Sequence, residues 1–197
     1  MKTLEDRKYS LEEYLLLQEQ SEQRMEFHDG RIVYLAGGSA NHSIIITNLI
    51  YRLAQQADHS NCIVFSSDMQ LAISAQNRYL YPDIMVACGE PVFTTQNETQ
   101  LKNPVLIIEV LSKSTESYDK LKKFTFYRML PSVREFITID SRHIVAESYH
   151  RKEASTWQIT TVSDLSQSLP IHSLNFDLPL EQIYAKTRGI EQDPFFQ

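Results

Sequence analysis

The sequence predicts an α/β (α+β) chain with a mixed central β-sheet flanked by helices, and three observations carry that expectation. Residues 41–140 read helix, strand, strand, strand, helix, strand, an order that builds a sheet covered by helices. Two runs, residues 81–86 and 105–112, are rich enough in Ile, Val and Leu to read as buried strands. Each run also carries one carboxylate, Asp83 in the first and Glu109 in the second. A carboxylate inside an apolar strand is costly unless it is paired, hydrogen-bonded or bound to a cation.

Taken in order, Ser10-Leu11-Glu12-Glu13 opens a short amphipathic helix over residues 10–22, with Ser10 as N-cap and Glu13 at the capping-box position. Leu11, Tyr14, Leu15 and Gln18 make one face of it. Residues 24–34 form a hairpin, because Asp29-Gly30 between apolar arms is a strong turn signal. Gly37-Gly38-Ser39 closes the hairpin and leads into a helix over residues 41–57, with Ile45, Leu49 and Leu53, flanked by Ile46 and Ile50, facing inward.

Residues 62–65 and 69–73 are short strands, and residues 79–88 are the strand that carries Asp83. The polar stretch 89–103 is a loop with some turn or helix content, and residues 104–112 are the most apolar strand. Residues 117–130 form a helix with Leu121, Phe124 and Tyr127 or Arg128 inward, stopped by Pro131. Residues 134–140 are the next strand. Two strands follow from His143, Pro179 begins a short helix, and the tail after Lys186 is loosely held.

With 197 residues the chain suits one domain with a substantial core. Its core lies at residues 41–140, a hairpin extension at 10–40 and a strand extension at 141–185. A net charge of −6 and a pI near 5.5 leave no global basic field for coating nucleic acid, although a local patch could still bind it. Cys62 and Cys88 lack C-x-x-C spacing and read as buried free thiols in a reducing cytosol. The polar start, residues 1–10, has no signal-peptide core, and no apolar run reaches the ~20 residues that span a bilayer. A cytoplasmic protein with no membrane partner is expected.

Two carboxylates on neighbouring strands can hold Mg²⁺ or Mn²⁺, with water and phosphate completing the shell. Such a cation activates water and offsets charge on a phosphoryl oxygen, and a nearby lysine completes the arrangement. Alone, Asp83 reads as a turn residue after Pro82; beside Glu109 the metal-binding reading is the stronger one. His42 reads as a helix-start residue rather than a ligand, and His28, His59, His143, His150 and His172 show no ligand spacing. Ser112, with Ser114 and Thr115, caps the next helix. Neither a nucleophile elbow, a P-loop nor a dinucleotide fingerprint is present.

Pro82-Asp83, then Glu109-Val110-Leu111-Ser112, then Asp119, Lys123 and Tyr127, together with Met25 to Gly30, Asn41-His42 and the closing residues 175–184, resemble the Uma-two family of restriction-endonuclease type. That family belongs to the PD-(D/E)XK nuclease superfamily. The resemblance spans residues 8–185 and implies a restriction-endonuclease-like core and a metal-dependent endonuclease acting on DNA. It further implies Asp83 and Glu109 as ligands of Mg²⁺, with Mn²⁺ as a substitute, the Val110 carbonyl as a third ligand and Glu26 as an additional carboxylate. The superfamily's lysine, two residues after the glutamate, falls at Leu111, which can neither orient water nor stabilise an anion. Lys123 is the best replacement, since it shares a helix face with Asp119 and Tyr127; Lys122 and Lys113 are the alternatives.

In the plainest alternative, Lys120, Lys122 and Lys123 form a solvated helix face. The chain would then be an inactive nuclease-fold protein that serves as a nucleic-acid or protein interaction module. A hydrolase of a smaller phosphoester is a third reading. A homodimer would suit double-strand cutting, which needs two sites or two visits.

Overall fold

A computed structural model describes residues 2–3, 7–35, 37–94, 98–112 and 122–193. Its elements begin with β1 (Lys2–Thr3), α1 (Leu11–Gln20), the hairpin β2 (Met25–His28) and β3 (Arg31–Tyr34), and α2 (Ala40–Ala57). β4 (Cys62–Ser66), β5 (Gln70–Ile73), β6 (Arg78–Leu80), β7 (Ile84–Cys88), β8 (Gln100–Leu101) and β9 (Leu106–Leu111) follow. After α3 (Phe124–Tyr127) come β10 (Glu135–Asp140), β11 (His143–Ile144), β12 (Ala146–Arg151), β13 (Trp157–Val162), β14 (Ser168–Ile171) and β15 (Phe176–Pro179). The chain closes with α4 (Leu180–Ile183) and β16 (Glu191–Gln192).

The local signals act as their chemistry dictates. Ser10 accepts from the Glu13 N–H and Glu13 returns the bond to the Ser10 N–H, completing the capping box of α1. Asp29 and Gly30 both take positive φ, 50° and 91°, which suits a two-residue hairpin turn. α2 buries Ile45, Leu49 and Leu53.

The expected single strand over residues 79–88 is instead two strands in two sheets. Pro82 has no N–H to donate to a ladder, and the chain leaves one sheet at Leu80 and enters the other at Ile84. The first sheet has the order β1-β3-β2-β6-β5-β8, the second β13-β12-β10-β9-β7-β4. The second is mixed, because β9 and β10 run parallel while its other pairs are antiparallel. The hairpin thus joins β5 and β6 rather than extending the core sheet. The stretch 89–103 is not wholly loop either, since β8 pairs with β5.

One face of the β13–β4 sheet packs under α2 and α4 through Ile84, Ile108 and Val110. Its other face packs through Met85 and Ile107 onto Leu71, Leu80 and α3. The far face of the first sheet, with Phe27 and Tyr79, closes against Tyr14 of α1.

Three further expectations change. Cys62 and Cys88 are direct cross-strand partners in β4 and β7, so they are joined as a disulfide rather than left as free thiols. The tail is held: β16 pairs with β11, and the Asn41 side chain exchanges two hydrogen bonds with the Arg188 backbone at 2.8 and 3.0 Å. α3 ends at Tyr127, short of Leu130. Lys113, Ser114, Thr115, Asp119, Lys120 and Leu121 lie outside the described residues. No helix among the described residues is long and apolar enough to cross a membrane.

Candidate active site

The β7–β9 ladder pairs Ile84 with Ile108 and goes no further. Continuing that register by one residue sets Asp83 opposite Glu109, beside Val110. With Pro82 unable to extend the ladder, the Val110 N–H donates instead to Asp83 Oδ2 at 2.7 Å. In an extended strand the N–H and C=O of one residue face the same edge, so the Val110 carbonyl faces this open edge too. Asp83, Glu109, Val110 and Lys123 all line one cleft of about 720 Å³. Its other walls include the start of α2 (Gly37, Gly38, His42), together with Arg24 and Tyr81.

Behind the cleft stands a buried charge network. Lys123, only 3% exposed, places Nζ 3.1 Å from Glu109 Oε1 and 3.3 Å from Glu26 Oε1. The Tyr127 hydroxyl donates to the same Glu109 oxygen at 2.6 Å. Lys123 and Tyr127 are four residues apart around one helical turn, which lets both reach Glu109. Glu26 is fully buried because its neighbours Met25 and Phe27 face α1, which turns Glu26 towards the other sheet. Its Oε1 accepts from the Tyr81 N–H at 3.0 Å, and its Oε2 lies 3.0 Å from His28 Nε2. Arg78 adds a contact to His28 Nδ1 at 3.4 Å and stacks over Phe126.

Burial alone would raise the Glu26 carboxyl, but the Lys123 ammonium, the His28 hydrogen bond and the Tyr81 N–H outweigh it and hold it at about 2. Burial, and then the Glu109 charge, push the Tyr127 hydroxyl well above its ordinary value. Tyr127 is therefore a neutral donor across the working pH range.

The structure thus brings Asp83, Glu109, Val110 and Lys123 to one cleft, with Glu26 behind the lysine and outside the cleft-lining set. Leu111 is buried, and Lys122 is exposed. Among the described residues no three His, Cys, Asp or Glu side chains gather closely enough to hold a metal by themselves. Sequence reasoning passed over His28, Arg78 and Tyr81. The period-2 alternation of β2, which puts His28 on the Glu26 face, was the available signal.

The family model described as "Uma2: Putative restriction endonuclease" matches residues 11–181. The chain is 39% identical to the Synechocystis sp. protein sll1609 over 148 residues, 75% of this chain and 84% of that one. It is 32% identical to slr1290 of the same organism over 178 residues, 90% of this chain and 92% of that one. Both are described as uncharacterized. A crystal structure titled as a putative nuclease belonging to DUF820, from Anabaena variabilis, superposes with a TM-score of 0.72. It shares 18% identity and covers 90% of this chain and 98% of its own, a likeness of fold.

Proposed function

The chain belongs to the Uma2 family, and from that premise we propose a Mg²⁺-dependent endonuclease that hydrolyses DNA phosphodiester bonds. The observation that carries this reading is a lysine ammonium 3.1 Å from Glu109, in a cleft whose rim holds Asp83 and the Val110 backbone. Asp83, Glu109 and the Val110 carbonyl are all oxygen donors, the kind that hard divalent cations take, with water and substrate phosphate completing the shell. A cation there would supply Lewis-acid charge to a phosphoryl oxygen and acidify water.

The chain's own residues then divide the work. Asp83 and Glu109 hold opposite sides of the site from neighbouring strands. Lys123, the residue just before α3, reaches the site in place of the lysine that Leu111 cannot supply, and donates a hydrogen bond to the attacking water. Glu26 aims the ammonium from behind at 3.3 Å, and His28 fixes the other Glu26 oxygen at 3.0 Å, so Glu26 acts on the lysine from outside the cleft. Tyr127 fixes one Glu109 oxygen. The water oxygen bonds to phosphorus and releases a proton to solvent, the bond to the leaving sugar oxygen breaks, and that oxygen takes up a proton from solvent.

The test is cleavage of DNA, duplex and single-stranded, with Mg²⁺ or Mn²⁺, by the wild type and by Asp83→Ala. We expect cleavage that chelation abolishes and that Asp83→Ala lacks, with circular dichroism unchanged. Cleavage retained by that variant overturns the assignment. DNA binding that ignores Mg²⁺ and survives Glu109→Ala, with no cleavage, would instead establish the interaction module.

A further inference from the structure

Asp83 carries its protein contacts on one oxygen. Oδ2 accepts from the Val110 N–H at 2.7 Å and stands 3.4 Å from His42 Nε2, while Oδ1 has no hydrogen-bond partner among the described residues. A monodentate metal ligand needs this division, with one oxygen tied to the protein and the other open to the cleft. The backbone tie alone leaves the carboxylate able to turn about its side-chain bond. A second donor on the same oxygen removes that freedom.

His42 is built to be that donor. It is the third residue of α2, and its N–H is accepted by the N-cap Ser39 Oγ at 3.3 Å. Asn41, just before it, anchors the helix start to the Arg188 backbone. The far edge of the ring lies against Gly38: a Cβ added there would fall 2.8 Å from His42 Cγ. Only a residue without a side chain leaves the imidazole its place. Glycine backbone on one side and Asp83 on the other thus define a slot in which Nε2 is the atom presented to the carboxylate. The side chains of His42 and Asp83 are only 18% and 16% exposed, so bulk water competes weakly for the contact.

We propose that His42 is a positioning residue that donates its Nε2–H to Asp83 Oδ2 and so presents Oδ1 to the divalent cation. This rests on the metal-dependent reading above. Outer hydrogen bonds of this kind commonly change metal affinity by about 10–100-fold. The fixed ring also explains a glycine at position 38 on the wall of the cleft.

The experiment is Mn²⁺ binding to the full chain, followed by electron paramagnetic resonance of the free ion, for wild type, Asp83→Ala, His42→Ala, His42→Gln and Gly38→Ala. Melting temperatures are taken on the same samples. The glutamine amide reaches the place of Nε2 and can donate as the imidazole does. We expect His42→Ala to raise the Mn²⁺ Kd by about 10–100-fold, His42→Gln to restore most of the affinity, and Gly38→Ala to copy His42→Ala by displacing the ring. Wild-type affinity in His42→Ala, with Asp83→Ala still losing Mn²⁺, overturns the positioning role and leaves the metal site standing. Failure of His42→Gln to recover affinity overturns the hydrogen bond as the cause. Mn²⁺ bound equally by wild type and Asp83→Ala, or by neither, overturns the metal reading and this inference together. If His42→Ala does not fold, the Gly38→Ala and His42→Gln pair decides the matter.

Discussion

Glu109 and Glu135 lie on neighbouring parallel strands, β9 and β10, and both are buried, yet their surroundings differ in kind. Glu135 accepts from the Ser148 hydroxyl at 2.5 Å and from the backbone N–H groups of His172 and Ser173 at 3.2 and 2.8 Å. Those donors are neutral, and two are fixed by the backbone between β14 and β15. Glu109 takes the Lys123 ammonium and the Tyr127 hydroxyl, and it shares that ammonium with a second buried carboxylate, Glu26. Burial therefore does not mark a site. The nature of the donors separates the two: backbone and hydroxyl donors anchor a loop to the sheet at Glu135, whereas Glu109 and Glu26 share one ammonium beside the cleft, the arrangement on which the proposed function rests.

The sharpest way to break this contrast is Lys123→Met, which leaves both carboxylates buried without the shared ammonium. Removing one partner of a buried ion pair costs about 3–5 kcal/mol, so the urea midpoint at neutral pH should fall accordingly, and DNA cleavage should be lost. The stability deficit should shrink in acid, where protonated carboxylates need no counter-charge. A deficit below about 1 kcal/mol, the size expected of a surface pair, would mean that the network matters no more than exposed charge does.

Next in size is the acid response of Glu26. Its folded-state pKa of about 2 lies below the unfolded value of 4.5. The contribution is therefore fully present above pH 4.5 and is lost as pH falls through the folded value near 2. Over that window the wild type should lose on the order of 3 kcal/mol more than Glu26→Gln. Chemical denaturation at stepped pH measures the difference. Parallel acid profiles for the two proteins would remove Lys123 and His28 as the groups that hold Glu26 ionised.

Much of this was legible in the sequence where the signal is local. The capping box at Ser10 and Glu13, the Asp29-Gly30 turn and the apolar period of α2 each act within a few residues, and each is found as read. Asp83 and Glu109 stood out because carboxylates inside apolar runs are rare, and the structure places both on one cleft. What was not legible depends on pairing across the chain. The disulfide follows from the β4–β7 register, which sets Cys62 against Cys88, and no spacing rule encodes it. The division at Pro82 looked like one strand because both halves are apolar. His28 carries no metal-ligand spacing in the sequence, because its partner is the carboxylate of Glu26. Glu135 had no signal at all, since its donors come from β12 and from the turn before β15.

The smallest expected effect belongs to Glu135, and it sharpens the comparison from the other side. In Glu135→Gln the amide keeps an acceptor for some of the three donors, but its NH₂ must face at least one N–H or O–H that previously met a lone pair. A buried polar group left without its partner costs about 1–3 kcal/mol. The loss should sit near the middle of that range, because the Ser148 hydroxyl can rotate and accept from the new amide, whereas the His172 and Ser173 N–H groups cannot. Among the described residues no hydrogen bond or ion pair links Glu135 to the Asp83 cleft, so Mn²⁺ affinity should match the wild type while the urea midpoint falls. A change in Mn²⁺ affinity would show that the two buried glutamates communicate through β9 and β10, and that the anchor and the site are one device.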